Sequence, residues 1–268
     1  MAEKGQIRIA LAGNPNCGKT TMFNNITGAK QHVGNYAGVT VEKKEGYKKF
    51  DGHELLFIDL PGTYSLTARS LDELVARNVI VNDNPDVIVN VLDASNLERN
   101  LYLAAQLLEL EKPMVIALNM SDVAEDMGIK YDLKKMAEMT GATIVSTVGR
   151  TNIGTKELLE ATVSVAASQK APGVTINYGD LLEGKISELV ELLKQAGTVT
   201  YPLRWIAVKL LEKDADVIGK VMRFDNTEAV IQKAEAIREE IKDQVDLDIV
   251  FQEYRHRFAV EVYNTCLT

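Results

Sequence analysis

Gly13-Asn14-Pro15-Asn16-Cys17-Gly18-Lys19-Thr20 fits the pattern G-x-x-x-x-G-K-[ST] in full. Alone such a string can be a tight turn, so its flanks decide the reading. Upstream, Gln6 to Ala12 is apolar and β-branched, and downstream Lys19 to Thr27 can continue as a helix. Strand, glycine loop and helix in that order make a phosphate-binding loop. Its backbone N–H groups wrap a β-phosphate and the helix N-terminus adds favourable potential. Lys19 neutralises the β- and γ-phosphates, the Thr20 hydroxyl ligates Mg²⁺, and Thr21 extends the same nucleotide-binding set.

Outward from this loop, Val39 to Phe50 reads as extended, Asp51-Gly52 as a hairpin turn and Leu55 to Leu60 as the return strand. Apolar runs at Val87 to Leu92, Met114 to Leu118 and Thr143 to Ser146 alternate with amphipathic stretches near Ser70 to Val81, Leu97 to Leu110 and Leu133 to Met139. The expected fold is α/β: a mainly parallel sheet flanked by helices, with one antiparallel hairpin at its edge. After about Ala171, punctuated by Pro172-Gly173, nearly everything has helical spacing. Ile186, Leu189, Val190 and Leu193 mark one stripe, Pro202 opens another, and Asn226-Thr227-Glu228 can cap Val230 to Ile241. The division expected is 1–170 for the nucleotide domain and 171–268 for a small all-α bundle.

Three further strings stand at the carboxyl ends of expected strands, where open α/β sheets bind ligands. Asp59-Leu60-Pro61-Gly62 offers a carboxylate that holds Mg²⁺ through water and a Gly62 N–H for a γ-phosphate. In Asn119-Met120-Ser121-Asp122, the Asp122 carboxylate can accept both the N1–H and the exocyclic amine of guanine, a pair adenine lacks. Ser146-Thr147-Val148 can supply a backbone N–H to guanine O6.

The motif series resembles the small GTPases of the TRAFAC class. Gly34-Asn35-Tyr36-Ala37-Gly38-Val39-Thr40-Val41-Glu42, Asp59 to Ser65 and Asn119 to Asp122 closely resemble the cytosolic N-terminal region of the FeoB family of bacterial ferrous iron transporters. The resemblance spans both parts of the chain, the remainder standing where that family carries a helical, dissociation-inhibitor-like domain. It implies a P-loop GTPase fold, GTP and GDP as ligands, and Mg²⁺ and K⁺ as cofactors. By motif, Thr40 is the switch I threonine that joins Thr20 and Asp59 on Mg²⁺, with Gly38 and Val39 beside the nucleotide. Asn16 resembles the asparagine that ligates K⁺, completed by switch I carbonyls from Gly34 to Gly38. Read locally, Asn16 is also a turn residue satisfying its own backbone. Catalysis would then rest on Lys19, Thr40, Gly62 and Asn16, with K⁺ in the part of an arginine finger.

Some positions depart from these patterns. Thr63 follows Gly62, so the glutamine that orients water in Ras-like enzymes is absent and slow intrinsic hydrolysis is expected. Met120 stands where most GTPases have lysine, which removes an aliphatic stem from the guanine face and favours faster exchange. Cys17 replaces the usual serine and reads as a small buried thiol.

The leading expectation is a K⁺-activated GTPase module of a ferrous iron transporter. Its membrane domain would follow in the same polypeptide, small accessory Feo proteins and a second copy are candidate partners, and the cytoplasmic face of the inner membrane is its place. The alternative is a stand-alone K⁺-dependent GTPase of ribosome or tRNA biogenesis, and a third class is a nucleotide-binding scaffold without useful hydrolysis. With 30 Lys and Arg against 38 Asp and Glu among 268 residues, a net charge of -8 argues against nucleic acid as partner. No RNA-binding signature follows Thr175, Cys17 and Cys266 form no disulfide framework, and no run approaches a membrane span. His32, His53 and His256 are scattered, so no iron site is expected. Lys43-Lys44 and Lys48-Lys49 read as a solvated sheet edge and Tyr254 to Phe258 as a solvated helix face.

Overall fold

Ile9, Ala10 and Leu11 are fully buried on both faces of one strand, which only a central position in a covered sheet permits. The computed structural model describes residues 5–36, 38–197 and 200–268. Two compact units divide the chain: Met1–Val174 with Ala259–Thr268, and Thr175–Phe258.

The first unit runs β1 (Gln6–Gly13), α1 (Lys19–Thr27), β2 (Gln31–Asn35), β3 (Glu42–Phe50), β4 (His53–Asp59), α2 (Leu71–Asn82), β5 (Val87–Asp93), α3 (Leu97–Leu108), β6 (Met114–Asn119), α4 (Ser121–Asp126), α5 (Leu133–Thr140), β7 (Thr143–Ser146) and α6 (Thr155–Ser168). Among the described residues, seven strands lie in the order β2-β3-β4-β1-β5-β6-β7. β4, β1, β5, β6 and β7 are parallel, whereas β2 and β3 are antiparallel neighbours at one edge. The spacing of runs predicts this mainly parallel sheet with an antiparallel edge, and the P-loop GTPase-like architecture is the one the family resemblance implies. Ile7, Ile9, Leu11, Phe57, Val89 and Val115 on one face bury Phe23, Met22 and Ile26 of α1 and Leu158 and Leu159 of α6. At about 25 cal/mol per Å² of apolar surface, such a layer supplies the main stabilising term.

The β3–β4 hairpin turns at Asp51 (φ 45°) and Gly52 (φ 76°), a pair of left-handed residues that matches strand twist. Three elements differ from expectation. The run from Val39 is not one strand: β3 begins at Glu42, because the Tyr36 N–H closes a turn on the Val41 carbonyl at 3.0 Å. β2, exposed and polar, has no alternating pattern to mark it. α6, absent from the sequence reading, covers the sheet with Leu158, Leu159, Thr162 and Ala166.

The second unit contains α7 (Asp180–Ala196), α8 (Leu203–Leu211), α9 (Ala215–Val221), α10 (Glu228–Ile241) and the start of α11 (Leu247–Cys266). Ile186, Leu189 and Leu193 are buried with Trp205, Ile206, Leu210, Val217 and Ile237. Thr227 does not cap α10 through its side chain; its Oγ1 donates backward to the Val221 and Phe224 carbonyls at 2.8 and 2.9 Å. The end of α11, expected with the bundle, clusters with the sheet unit. There the Asp132 N–H donates to the Cys266 carbonyl at 2.8 Å and the Thr268 N–H to Lys130 at 2.9 Å. Among the described residues, no helix is long and apolar enough to cross a membrane.

Candidate functional site

β1 ends at Gly13, and the loop to α1 is shaped by two glycines that could not be replaced in place. A Cβ on Gly13 would lie 2.7 Å from both Cys17 Sγ and the Val91 carbonyl. Gly18 sits at φ +86° as the residue before α1, and a Cβ there would overlap the Asn119 side-chain amide. Asn14 is buried, its Nδ2 donating to the Arg99 carbonyl at 3.4 Å. Cys17 is buried too, and burial pushes its thiol up to about 11. Asn16 is exposed with φ +66°, and among the described residues no side-chain hydrogen bond ties it into the loop.

Lys19 forms a salt bridge with Asp59 at the end of β4, both side chains being 7% exposed. Burial pushes the Asp59 carboxyl up and the Lys19 charge pulls it back, leaving it above its ordinary value. The pair lines a cavity of about 320 Å³ together with Thr20, Val41, Glu42, Lys44, Leu60, Pro61, Gly62 and Asp72. The Thr63 N–H donates to the Gly13 carbonyl at 3.3 Å, and a Cβ on Gly62 would stand 3.3 Å from Pro15 Cα. The segment after β4 is thereby pressed against the phosphate loop. Thr20 hydroxyl and Asp59 carboxylate are hard oxygen donors in one cavity, a set that fits Mg²⁺.

The described residues of the expected switch I lie elsewhere. Gly34 and Asn35 pair with Lys43 and Glu42 in the edge ladder, and the Tyr36 carbonyl accepts from Val39 N–H at 3.2 Å. Gly38 and Thr40 are exposed in the turn, Val39 half-buried; none of the three is among the residues lining the phosphate cavity. Ala37 lies outside the described residues. Tyr36 instead reaches the site: its hydroxyl donates to the Asp59 carbonyl at 3.5 Å, and burial pushes its pKa well above the ordinary tyrosine range.

A second cavity, about 160 Å³, is lined by Gly18, Thr21, Asn119, Met120, Asp122, Val123, Val148, Gly149 and Arg150. Asn119 holds it together. Its Nδ2 donates to the Cys17 carbonyl at 2.8 Å and its Oδ1 accepts from the Gly149 N–H at 2.8 Å. Ser121 Oγ donates to the Thr147 carbonyl at 3.0 Å. Met120, left-handed at φ 58°, begins α4 and sets its Cε over Gly18.

Two of the three expected N–H donors for guanine O6 are otherwise engaged. Thr147 N–H donates to Leu118 at 2.8 Å and Val148 N–H to Ile153 at 3.0 Å, since the loop after β7 folds back as a small bridge. Ser146 and Thr147 do not line the cavity, whereas Val148 does. Sequence reading also passed over Arg150, Gly149, Arg99 and Asn25, which enter the site only because loops distant in sequence meet. Asn25 donates from α1 to the Gly149 carbonyl. Among the described residues, no cluster of histidine, cysteine or carboxylates could hold a transition metal.

Comparison with known proteins bears on this geometry. A family model described as ferrous iron transport protein B matches residues 7–162, and one described as the FeoB cytosolic helical domain matches residues 178–268. The Fe(2+) transport protein A/FeoB fusion protein of Porphyromonas gingivalis is 46% identical over 216 residues, covering 79% of this chain and 26% of that protein. The Fe(2+) transporter FeoB of Escherichia coli K12 is 40% identical over 78% of this chain and 27% of its own length. The chain thus spans about a quarter of the length of these relatives. The GDP-bound crystal structure of a mutant S. thermophilus FeoB G-domain superposes with a TM-score of 0.89 at 35% identity, covering 98% of this chain and 100% of that one. The apo cytosolic domain of the T. maritima FeoB iron transporter gives 0.85 at 30% identity, with 98% and 100% covered. With both its parts matched by the corresponding domains, the chain belongs to the FeoB family of ferrous iron transport proteins.

Proposed function

We propose that this chain is the GTP-binding, GTP-hydrolysing regulatory module of a bacterial ferrous iron transporter, activated by K⁺ and slow on its own. The observation that carries the reading is that two cavities share one loop: Lys19 and Thr20 face the first, Gly18 and Thr21 the second. A nucleotide laid across Gly13 to Thr21 would put phosphates against Lys19 and Gly62 and its base against Asn119 and Asp122.

In this mechanism Lys19 exchanges Asp59 for phosphate oxygens, which releases the Asp59 carboxylate as an oxygen ligand. Thr20 and Asp59, joined by Thr40, would hold Mg²⁺, which would supply charge neutralisation to the phosphates. Asn16, whose exposed amide oxygen suits the task, would hold K⁺. Thr40 must leave its exposed turn for this, so ordering of switch I reports the γ-phosphate and its release reports hydrolysis. Thr63 is buried with its N–H on Gly13, so it does not replace the missing glutamine.

The membrane domain of the same polypeptide is the proposed partner, at the cytoplasmic face, in keeping with relatives far longer than this chain. Small accessory Feo proteins and a second copy of the chain are further proposed partners. Ribosome or tRNA work is not favoured, because both family models that match are those of the transporter. The test is steady-state GTP hydrolysis with Mg²⁺ in matched KCl and NaCl, for the unaltered chain and Asn16→Ala. Stimulation by K⁺ that Asn16→Ala abolishes supports the reading; equal rates in both salts overturn the K⁺ assignment, and no turnover in either overturns the enzyme.

A further inference from the structure

Arg150 Nη2 forms a 2.6 Å ion pair with Asp122 Oδ2, at the mouth of the cavity that Asp122, Met120 and Gly149 line. The two side chains are unequal: Arg150 is 72% exposed, Asp122 only 25%. The backbone beneath Arg150 is fixed. Gly149 N–H donates to Asn119 Oδ1, the Gly149 carbonyl accepts from Asn25, and Thr151 N–H donates to the Val148 carbonyl at 3.1 Å. Arg150 is therefore a long, solvated arm on a hydrogen-bonded base, its head resting on the carboxylate that the nucleotide reading assigns to guanine.

The chemistry of the two claimants is alike. The N1–H and exocyclic amine of guanine form a planar pair of donors side by side, and a guanidinium edge presents the same pair. A carboxylate can accept such a fork from only one of them at full strength. We propose that Arg150 is a built-in competitor for Asp122, occupying the guanine-reading carboxylate and setting how tightly this chain holds guanine nucleotides. The inference rests on the guanine reading of Asp122 and adds a residue that opposes it.

The size of the effect follows from exposure. A solvated ion pair favours its closed form by a factor of about 1.4 to 5, so the competition weakens guanine binding about two- to sixfold relative to a chain without the arm. Departure is affected as well, because Arg150 recaptures Asp122 as the base lifts away. Adenine nucleotides, which make no fork to Asp122, gain nothing from removal of the arm.

The test measures dissociation constants and release rates of fluorescent GDP for the unaltered chain, Arg150→Ala and Arg150→Lys. It repeats them with xanthosine diphosphate on Asp122→Asn and on the Asp122→Asn, Arg150→Ala double variant. Xanthine carries an oxo group in place of the amine, so an asparagine amide serves it while offering Arg150 no charge. The expected result is GDP bound about two- to sixfold more tightly and released more slowly by Arg150→Ala, Arg150→Lys in between, and no Arg150 effect in the xanthine arm. Weaker GDP binding by Arg150→Ala would mean that the arm stacks on or clamps the base, and overturns the proposal. An equal change in both arms would mean that Arg150 acts through loop structure, and overturns it too. Failure of the unaltered chain to bind GDP at all would instead remove the guanine reading itself.

Discussion

The Asn119 side chain joins the Cys17 carbonyl to the Gly149 N–H, each at 2.8 Å, and so ties the phosphate loop to the loop after β7 through one buried amide. Neither loop has a regular partner at those groups. The second cavity is consequently a product of this single residue as much as of the strands that carry it.

Asn119→Ala should therefore cost stability as well as binding. Each orphaned backbone group costs about 1–3 kcal/mol, so the unfolding free energy should fall by about 2–6 kcal/mol. Denaturant titration of the unaltered chain and the variant checks this, with an unchanged midpoint ruling the bridge unimportant. GDP affinity should fall by about tenfold or more in parallel, because Gly18 and Gly149 lose their common anchor.

The Lys19–Asp59 pair gives two separable expectations. Lys19→Ala should lose GTP affinity, measured by equilibrium binding, since no other lysine stands on the phosphate loop. Asp59→Asn should bind nucleotide but need about 10- to 100-fold more Mg²⁺ for half-maximal turnover. Identical Mg²⁺ curves for Asp59→Asn and the unaltered chain would exclude this carboxylate from metal binding.

Acid sensitivity should originate in the helical unit. Burial alone would raise the Glu212 carboxyl, but Lys209 at 2.6 Å and the fully buried Arg255 at 2.6 Å outweigh it and hold it at about 2. A depressed folded value means that the stabilisation is complete above the unfolded value of about 4.5 and is lost as pH falls toward 2. The loss should amount to about 3 kcal/mol at most. Thermal melts between pH 6 and pH 2.5 should show it, and Glu212→Gln should lower stability near neutrality while flattening that acid limb. A variant with the same acid limb would place the sensitivity elsewhere.

Cys17 should be inert while the fold holds. Its thiol, pushed up to about 11, remains protonated at pH 8, and its sulfur is packed under Gly13. Mass spectrometry after brief alkylation should find Cys17 unmodified in the native chain and labelled in denaturant. Rapid native labelling would show that the loop opens.

Much of this was legible in the residues. Gly13 and Gly18 announce the loop because φ and close approach leave no other residue possible there, and Asp51-Gly52 announces its hairpin for the same reason. Buried strands such as Val87 to Leu92 stand out because two covered faces demand continuous apolar sequence. β2 was invisible, since an exposed edge strand needs only backbone pairing and leaves no pattern in QHVGN. Thr227 stands at the N-cap of α10 as its position in the sequence suggests, but its hydroxyl turns back to the Val221 and Phe224 carbonyls, a choice of partner that the sequence leaves open.

By itself, the sequence determined the class of fold and the glycine loop between β1 and α1, because local backbone geometry and hydrophobic period act between near neighbours. Only the tertiary structure decided that Asn119 would bind Cys17 and Gly149, that Thr40 would stand off the phosphate cavity, and that Arg150 would rest on Asp122. Those relationships join loops separated by tens of residues, and a hydrogen bond of 2.8 Å depends on where the packed sheet brings its ends, which no string of neighbours encodes.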